Sequence, residues 1–172
     1  MRKSWMLGLV LTVLGSLVAS QPAAAQSFNA FLLIPGIPGS SLDERHKNWI
    51  DVLSLSQGLA SIDPKKLLAA CNLTVVKSLD VSGPLLWFAA ASGQVFPETT
   101  IEVAKAGGTQ AVFYVIRLAN TKIVSIQSIV KADAFPVEQL VLSPESATLE
   151  IKEQRPDGSL GATVSRTIAC AN

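Results

Sequence analysis

The sequence predicts a mostly β protein, a compact β-barrel or sandwich of about seven to nine strands with one short flanking helix. Three observations support this fold class. Apolar residues alternate with a period of two from Phe28 onward, turn residues join successive alternating runs, and one apolar segment departs from the alternation. A chain of 172 residues has the length of a single ordinary domain once a leader segment is removed.

Alternating runs joined by turn residues predict the strands in the second half of the chain. Residues 100–103 alternate before Gly107-Gly108, and the alternation resumes on one face at 112–118. Two glycines in succession tolerate positive φ, so they favour a β-hairpin turn here. The next strand is predicted at 123–130, after a turn at Ala119–Thr121.

A second hairpin is predicted near the end of the chain, with its turn at Pro156-Asp157-Gly158. The alternating runs on either side of this turn are residues 148–152 and 163–169. In the first half, strands rich in Leu, Ile, Val and Trp are expected. They are residues 30–34, 49–55 and 73–77.

A single short helix is predicted over residues 84–92. Ser82 or Asp80 can cap its start, Pro84 suits its first turn, and Gly93 suits its end. The segment is apolar enough to pack against the sheet.

The first 25 residues are typical of a cleavable secretory signal. Arg2 and Lys3 supply the positive end, and an apolar stretch from Trp5 to Val18 follows. This stretch is shorter than the roughly 20 residues that cross a bilayer. Ala23–Ala25 before Gln26 fits the small-residue rule for cleavage, although an uncleaved N-terminal anchor is the alternative. We therefore expect an exported chain, periplasmic or secreted, whose single domain spans residues 26–172.

The charge of the mature chain excludes some classes of partner. Without Arg2 and Lys3, 12 of the 14 basic residues remain against 13 acidic residues, so the net charge is −1. Scattered charges near balance predict no nucleic-acid partner and, in the absence of a second long apolar run, no membrane partner once the chain is mature.

Two cysteines, Cys71 and Cys170, are the candidates for a disulfide. Both lie in the mature chain and would reach an oxidising compartment, where paired cysteines are the more common state. Two unpaired thiols are the alternative. With one histidine, these cysteines are too few for a structural zinc site.

No residue pattern in the sequence indicates an active site. His46, with Asp43 and Glu44 nearby, could suggest a metal or acid-base site, but the polar segment 39–49 is expected to be a solvated loop. Segment 39–43 only superficially resembles a nucleophile turn, and the glycines of 34–39 lack the context of a phosphate-binding loop. The sequence therefore predicts a non-enzymatic protein with no catalytic residues, metal or cofactor.

Five runs in order along the chain resemble one family. The first two are Phe-Leu-Leu-Ile-Pro-Gly-Ile-Pro-Gly-Ser-Ser at 31–41 and the run at 46–58 that contains His-Lys-Asn-Trp-Ile and Leu-Ser-Leu-Ser-Gln-Gly. The third is Leu-Asp-Val-Ser-Gly-Pro-Leu-Leu at 79–86 followed by Ala-Ala-Ser-Gly at 90–93. The last two are Phe-Tyr-Val-Ile-Arg-Leu at 113–118 with Val-Ser at 124–125, and Pro-Val-Glu-Gln-Leu-Val-Leu-Ser at 136–143. Each run alone is weakly specific. Together they resemble the Hcp family, the haemolysin-coregulated tube proteins of type VI secretion.

This resemblance implies a compact β-barrel with a lateral helix that assembles into a six-membered ring. Stacked rings would form the expelled tube, whose lumen carries effectors, so the implied partners are other copies of the chain, type VI components and effectors. Ser40-Ser41 stands where the family usually shows Glu-Ser, and family members normally lack a secretory signal. An exported monomeric β-barrel binding module is the alternative. The candidate assembly loop comprises Gly36, Ile37, Pro38, Gly39, Ser40 and Ser41.

Overall fold

A computed structural model describes residues 28–66, 68–106, 111–155 and 157–171. The predicted secretory signal, the Gly107-Gly108 turn and Pro156 lie outside these residues. In the described part the chain forms eight strands and one helix. In chain order they are β1 (Phe28–Leu33), β2 (Ile50–Asp63), β3 (Leu68–Ser78), α1 (Gly83–Ser92), β4 (Val95–Lys105), β5 (Val112–Lys131), β6 (Ala134–Ser143), β7 (Ser146–Gln154) and β8 (Leu160–Ala171).

The strands form one sheet that closes on itself. Neighbouring strands follow the order β2-β1-β4-β5-β6-β3-β8-β7, and the strands at both ends of this order make a second pairing, β2 with β3 and β7 with β5. Among the strand pairings of the described residues, only the short one between β3 and β8 is parallel. Because of these second pairings, each end strand has a neighbour on both sides over at least part of its length. The predicted mostly β fold is confirmed, and of its two forms, barrel or sandwich, the sheet closes as a barrel.

Alternation along the strands builds the core. In β3 every second residue is buried, and the series includes Cys71, Leu73, Val75 and Lys77. Leu140 and Leu142 of β6 are fully buried on the same face. The period of two that predicts strands from the sequence therefore also determines which residues face inward.

The predicted turn at Ala119–Thr121 is wrong. Residues on both sides belong to the single long strand β5, which bends at Asn120, where φ is 47°. Asparagine tolerates this left-handed conformation better than most residues, so the strand changes direction without ending. Before the bend β5 pairs with β7, and after it β5 pairs with β6, while β4 spans both parts.

The other predicted strands and both hairpin pairings are confirmed, although several strands, among them β2, β3 and β4, are longer than predicted. β4 pairs with β5 and β7 pairs with β8, and Gly158 has the positive φ, 85°, that its turn requires. The predicted strand at 49–55 is longer in the structure, because β2 continues to Asp63 alongside β3.

The predicted helix is confirmed as α1. Pro84 lies in its first turn, and Gly93 ends it with φ of 65°, donating its N–H to the carbonyl oxygen of Ala90 at 3.3 Å. Ser82 occupies the N-cap position, but its side chain makes no capping hydrogen bond. The buried residues Leu86 and Ala89 hold the helix against the barrel.

A disulfide joins Cys71 of β3 to Cys170 of β8, as predicted. It lies beside the parallel pairing of residues 68–70 with residues 169–171. A parallel pairing of three residues is weak on its own, so the disulfide fixes the C-terminal strand to the barrel.

Replacing both cysteines, Cys71→Ala with Cys170→Ala, should lower the free energy of unfolding by about 2–5 kcal/mol, because the bond closes a long loop in the unfolded chain. The two residues are 99 positions apart. Denaturant unfolding measures the change, and a reducing agent should leave the double variant unaffected. Two free thiols in protein purified from an oxidising compartment, or an unchanged unfolding midpoint, would contradict the prediction.

Candidate assembly surface

A buried ion cluster lies where β3 ends. The ammonium group of Lys77 is 2.7 Å from Oδ1 of Asp80 and 2.8 Å from Oε2 of Glu138, and it also donates to the carbonyl oxygen of Ser78 at 2.7 Å. The side chains of Lys77 and Glu138 are 0% and 1% exposed. Charges buried this deeply require paired, hydrogen-bonded partners, and here all three donor positions of the ammonium group are used.

Glu138 extends this cluster to the helix and to a third strand. Its second oxygen, Oε1, accepts hydrogen bonds from the indole N–H of Trp87 at 3.1 Å and from the hydroxyl of Ser128 at 3.3 Å. A Cβ at Gly83 would lie 3.1 Å from both carboxylate oxygens, so the first residue of α1 must be small for the helix to approach. One carboxylate thus connects β6, β5, β3 and α1.

Asp80 connects the same cluster to the candidate assembly loop. Its Oδ2 accepts the backbone N–H of Ser40 at 3.1 Å, and its Oδ1 accepts the backbone N–H of Ser82 at 3.0 Å. Burial raises the pKa of Asp80, but hydrogen bonds from Lys77 and Ser82 and the charge of Lys77 outweigh it, so this pKa lies below its ordinary value. The loop is therefore tied to the helix start by an ionised carboxylate.

The candidate assembly loop, residues 36–41, is held by its backbone. Gly36 adopts φ of 82°, and the N–H of Ile37 donates to the carbonyl oxygen of Ile34 at 3.0 Å. A Cβ at Gly39 would lie 2.6 Å from the Cα of Ile50, so only glycine fits this approach. Pro38 and Ser40 are exposed. Backbone hydrogen bonds and the two glycines thus define the shape of this loop.

The expectation that the polar segment 39–49 is a solvated loop is wrong at His46. This side chain is buried, with Nδ1 2.7 Å from Oδ1 of Asp43 and Nε2 2.9 Å from Oε2 of Glu102. Its ring stacks on Phe31 with centroids 4.0 Å apart. Of the two acidic residues that the sequence places near His46, Asp43 contacts its ring and Glu44 does not. The second carboxylate partner is instead Glu102 of β4.

These contacts give His46 a structural role. Burial raises the pKa of Asp43, but hydrogen bonds from the His46 side chain and from the backbone N–H groups of Arg45 and His46 lower it by more. The pKa of Asp43 therefore lies below its usual value. Both ring nitrogens of His46 have carboxylate partners. Across residues 28–171, leaving out the gaps named above, no group of three or more His, Cys, Asp or Glu is placed to hold a metal.

The outer face of α1 is apolar. Phe88 is 71% exposed, and Leu85 and Trp87 are close to half exposed. Val81, just before the helix, is also exposed and lines a cavity with Ser40, Asp80 and Pro84. A helix that is apolar on every side is normally covered on every side, so this face has the character of an interaction surface. No helix in the described residues is both long and apolar enough to span a bilayer.

Sequence reasoning did not identify Lys77 and Glu138. Each occupies an inward position of its strand, Lys77 two residues after the buried Val75 and Glu138 two residues before the buried Leu140. The signal in the sequence that could have revealed this pair is a lysine and a glutamate at inward positions of two largely apolar strands. Their pairing depends on the register of β3 with β6, in which Lys77 lies opposite Glu138.

Asp80→Asn should lower the free energy of unfolding at pH 7 by about 1–3 kcal/mol, because Lys77 loses a charged acceptor. The folded pKa of Asp80 lies below its ordinary value of 3.8, so its contribution is complete above that pH and disappears as the pH falls through the folded pKa. Denaturant unfolding between pH 7 and pH 3 should show the difference from the parent narrowing below about pH 4. A difference that stays constant with pH would contradict this. Asp133→Asn, at an exposed turn, is the control.

Comparison with known proteins places this arrangement in a family. A family model described as "Type VI secretion system effector, Hcp" matches residues 31–150. The protein hcp1 of Pseudomonas aeruginosa is 27% identical to the chain over 139 residues, which are 75% of this chain and 86% of that protein.

Solved structures agree on the fold. Hcp1 from Salmonella typhimurium has a TM-score of 0.72 at 25% identity, over 83% of this chain and 94% of that one. A type VI secretion system effector from Yersinia pestis has a TM-score of 0.69 at 23% identity, over 81% and 98%. The family match contains the candidate assembly loop, the ion cluster and α1. The chain therefore belongs to the type VI secretion system effector family Hcp.

Proposed function

We propose that this chain is a tube protein of type VI secretion. It acts without catalysis or cofactor, as a structural unit that assembles with copies of itself into closed hexameric rings, and these rings stack into a tube that carries effectors. The single observation that carries the proposal is the family match over residues 31–150, on a fold shared with solved Hcp structures. Type VI components and effectors are the further partners.

The surface of the domain supports self-assembly. Large apolar side chains are widely exposed on separate parts of the barrel, with Leu42 93%, Phe135 90% and Phe88 71% accessible. A monomer would leave several such groups in water, whereas a ring with two different contact faces on each copy covers many of them. The loop at 36–41 is hydrogen-bonded to Asp80 and so held against the barrel. It would form part of the contact that each copy makes with the next.

The proposed export follows from the first 25 residues. They have the charge, apolar stretch and small residues of a cleavable signal. The Cys71–Cys170 disulfide is consistent with a chain that matures in an oxidising compartment. The mature protein is accordingly periplasmic or secreted.

The mature chain should form closed homo-oligomers, hexamers above all, at micromolar concentration in neutral buffer. Size-exclusion chromatography with light scattering measures the mass. Moderate salt should change the mass little, since the mature chain is close to neutral. A mass of one chain at every concentration would contradict the proposal and would favour the monomeric binding module.

Substitutions at Ser40 test separately whether the loop at 36–41 takes part in assembly. Ser40→Glu introduces the residue usual in the family at an exposed position, while Ser40→Ala removes only a hydroxyl and serves as its matched control. Stronger assembly of the glutamate variant alone would assign the 36–41 loop to the contact, and equal assembly of both variants would remove the loop from it.

N-terminal sequencing of protein recovered from the periplasm or the medium should begin near Gln26. The same protein should contain the disulfide, because export and oxidation occur together. Recovery of chains that begin at Met1, confined to the cytoplasm, would contradict the proposed export.

A further inference from the structure

The core of the barrel opens to the surface at one end. A cavity of about 310 Å³ lies there, between β2, β3, β5, β7 and β8. We call it the apolar mouth. Its main lining side chains are Leu59, Leu73, Tyr114, Leu149 and Ile168, and Cys71, one half of the disulfide, also lines it.

The chemistry of the apolar mouth restricts what can enter it. Its lining includes no charged residue. Two of its polar side chains are paired with each other, since the side-chain amide of Gln57 donates to the hydroxyl of Tyr114 at 2.6 Å. Tyr114, Leu149 and Ile168 are partly buried and pack on the core, so an apolar group bound here would extend the core. A cavity of about 150 Å³ already accommodates a benzene ring, so this one has room for an aromatic side chain.

A complementary apolar knob lies on the β5–β6 hairpin. Lys131 pairs with Ala134, which makes a two-residue turn, and Phe135 follows directly. We call the side chain of Phe135, which is 90% exposed, the knob; Val130 on the other strand is 72% exposed and is not included in it. A phenylalanine held almost wholly in water at the tip of a hairpin is a costly arrangement unless a partner covers it.

The knob and the apolar mouth lie toward opposite ends of the barrel. Leu73, which lines the mouth, is paired with Leu142 on β6. Phe135 precedes Leu142 by seven positions on the same strand, a separation of roughly 20 Å along the strand. Along β5, Tyr114 lies near the start of the strand and the hairpin turn follows its end. The knob of one molecule therefore cannot fill its own mouth.

We infer that Phe135 of one copy inserts into the apolar mouth of a second copy. The occupant is a second copy because this chain itself presents an exposed aromatic group of the required size and chemistry, at the end opposite to the site. Such a contact is heterologous, since knob and mouth are different surfaces, and it can repeat from copy to copy. This inference rests on the self-assembly proposed above and names the side chain that makes an end-to-end contact.

Substitution tests the contact. Phe135→Ser should raise the concentration needed for half-maximal assembly about 10- to 100-fold, as expected for a buried aromatic anchor at an interface. Val130→Ser, on the same hairpin, should change it less than threefold. Sedimentation velocity over a concentration series gives both values. Equal assembly of Phe135→Ser and the parent would overturn the inference.

A charge pair tests whether the two positions meet. Phe135→Lys and Leu59→Glu should each weaken assembly, and a chain with both substitutions should recover part of the loss, because opposite charges then face each other across the contact. Val130→Lys combined with Leu59→Glu is the control and should recover nothing. Purely additive losses in the first pair would contradict the contact.

Cross-linking locates the contact directly. Benzoylphenylalanine at position 135, in a mixture of light and heavy isotope-labelled chains, should give cross-links between chains to Leu59, Leu149 or Ile168. Cross-links elsewhere, or a small apolar molecule retained in the mouth in native mass spectra, would overturn the inference. If assemblies form and only these tests fail, the inference alone is wrong. If the parent chain is monomeric at all concentrations, the proposed function fails with it.

Discussion

One buried interaction, the pairing of Lys77 with Glu138 and Asp80, links the register of the sheet to the surface of the protein. Lys77 and Glu138 lie opposite each other in the β3–β6 register, so their ion pair forms only when the two strands pair in that register. Removing one partner of such a pair leaves a buried charge without compensation, which costs about 3–5 kcal/mol. A one-residue slip would move Lys77 to the opposite face of β3 and separate the pair. The cluster is therefore compatible only with the observed register of β3 and β6.

The same cluster also positions two surface elements, the helix α1 and the candidate assembly loop. Glu138 receives Trp87 from α1, and Asp80 receives Ser40 from the candidate assembly loop. The helix and the loop are distant in sequence, yet both are positioned by hydrogen bonds to neighbouring carboxylates. In a protein whose proposed work is assembly, surfaces of constant shape lower the entropic cost of forming a repeated contact.

Much of this structure could be predicted because local patterns determine it. Alternation fixed the strands, Pro84 and Gly93 bounded the helix, and the two cysteines gave the disulfide. The errors arose where tertiary contacts decide the outcome. Asn120 bends β5 without ending it because the strand changes partners there, and His46 is buried because Glu102 arrives from another strand. Lys77 and Glu138 become a pair only in the folded register, which no local pattern encodes.

Electron microscopy of the proposed mature chain, residues 26–172, tests the central claim most directly. The domain shares its fold with Hcp structures and exposes apolar groups at its opposite ends. Particle averages at micromolar concentration should show closed rings with six equivalent copies, with some rings stacked end to end. Particles of single-domain size only, or open chains of indefinite length without rings, would contradict the account.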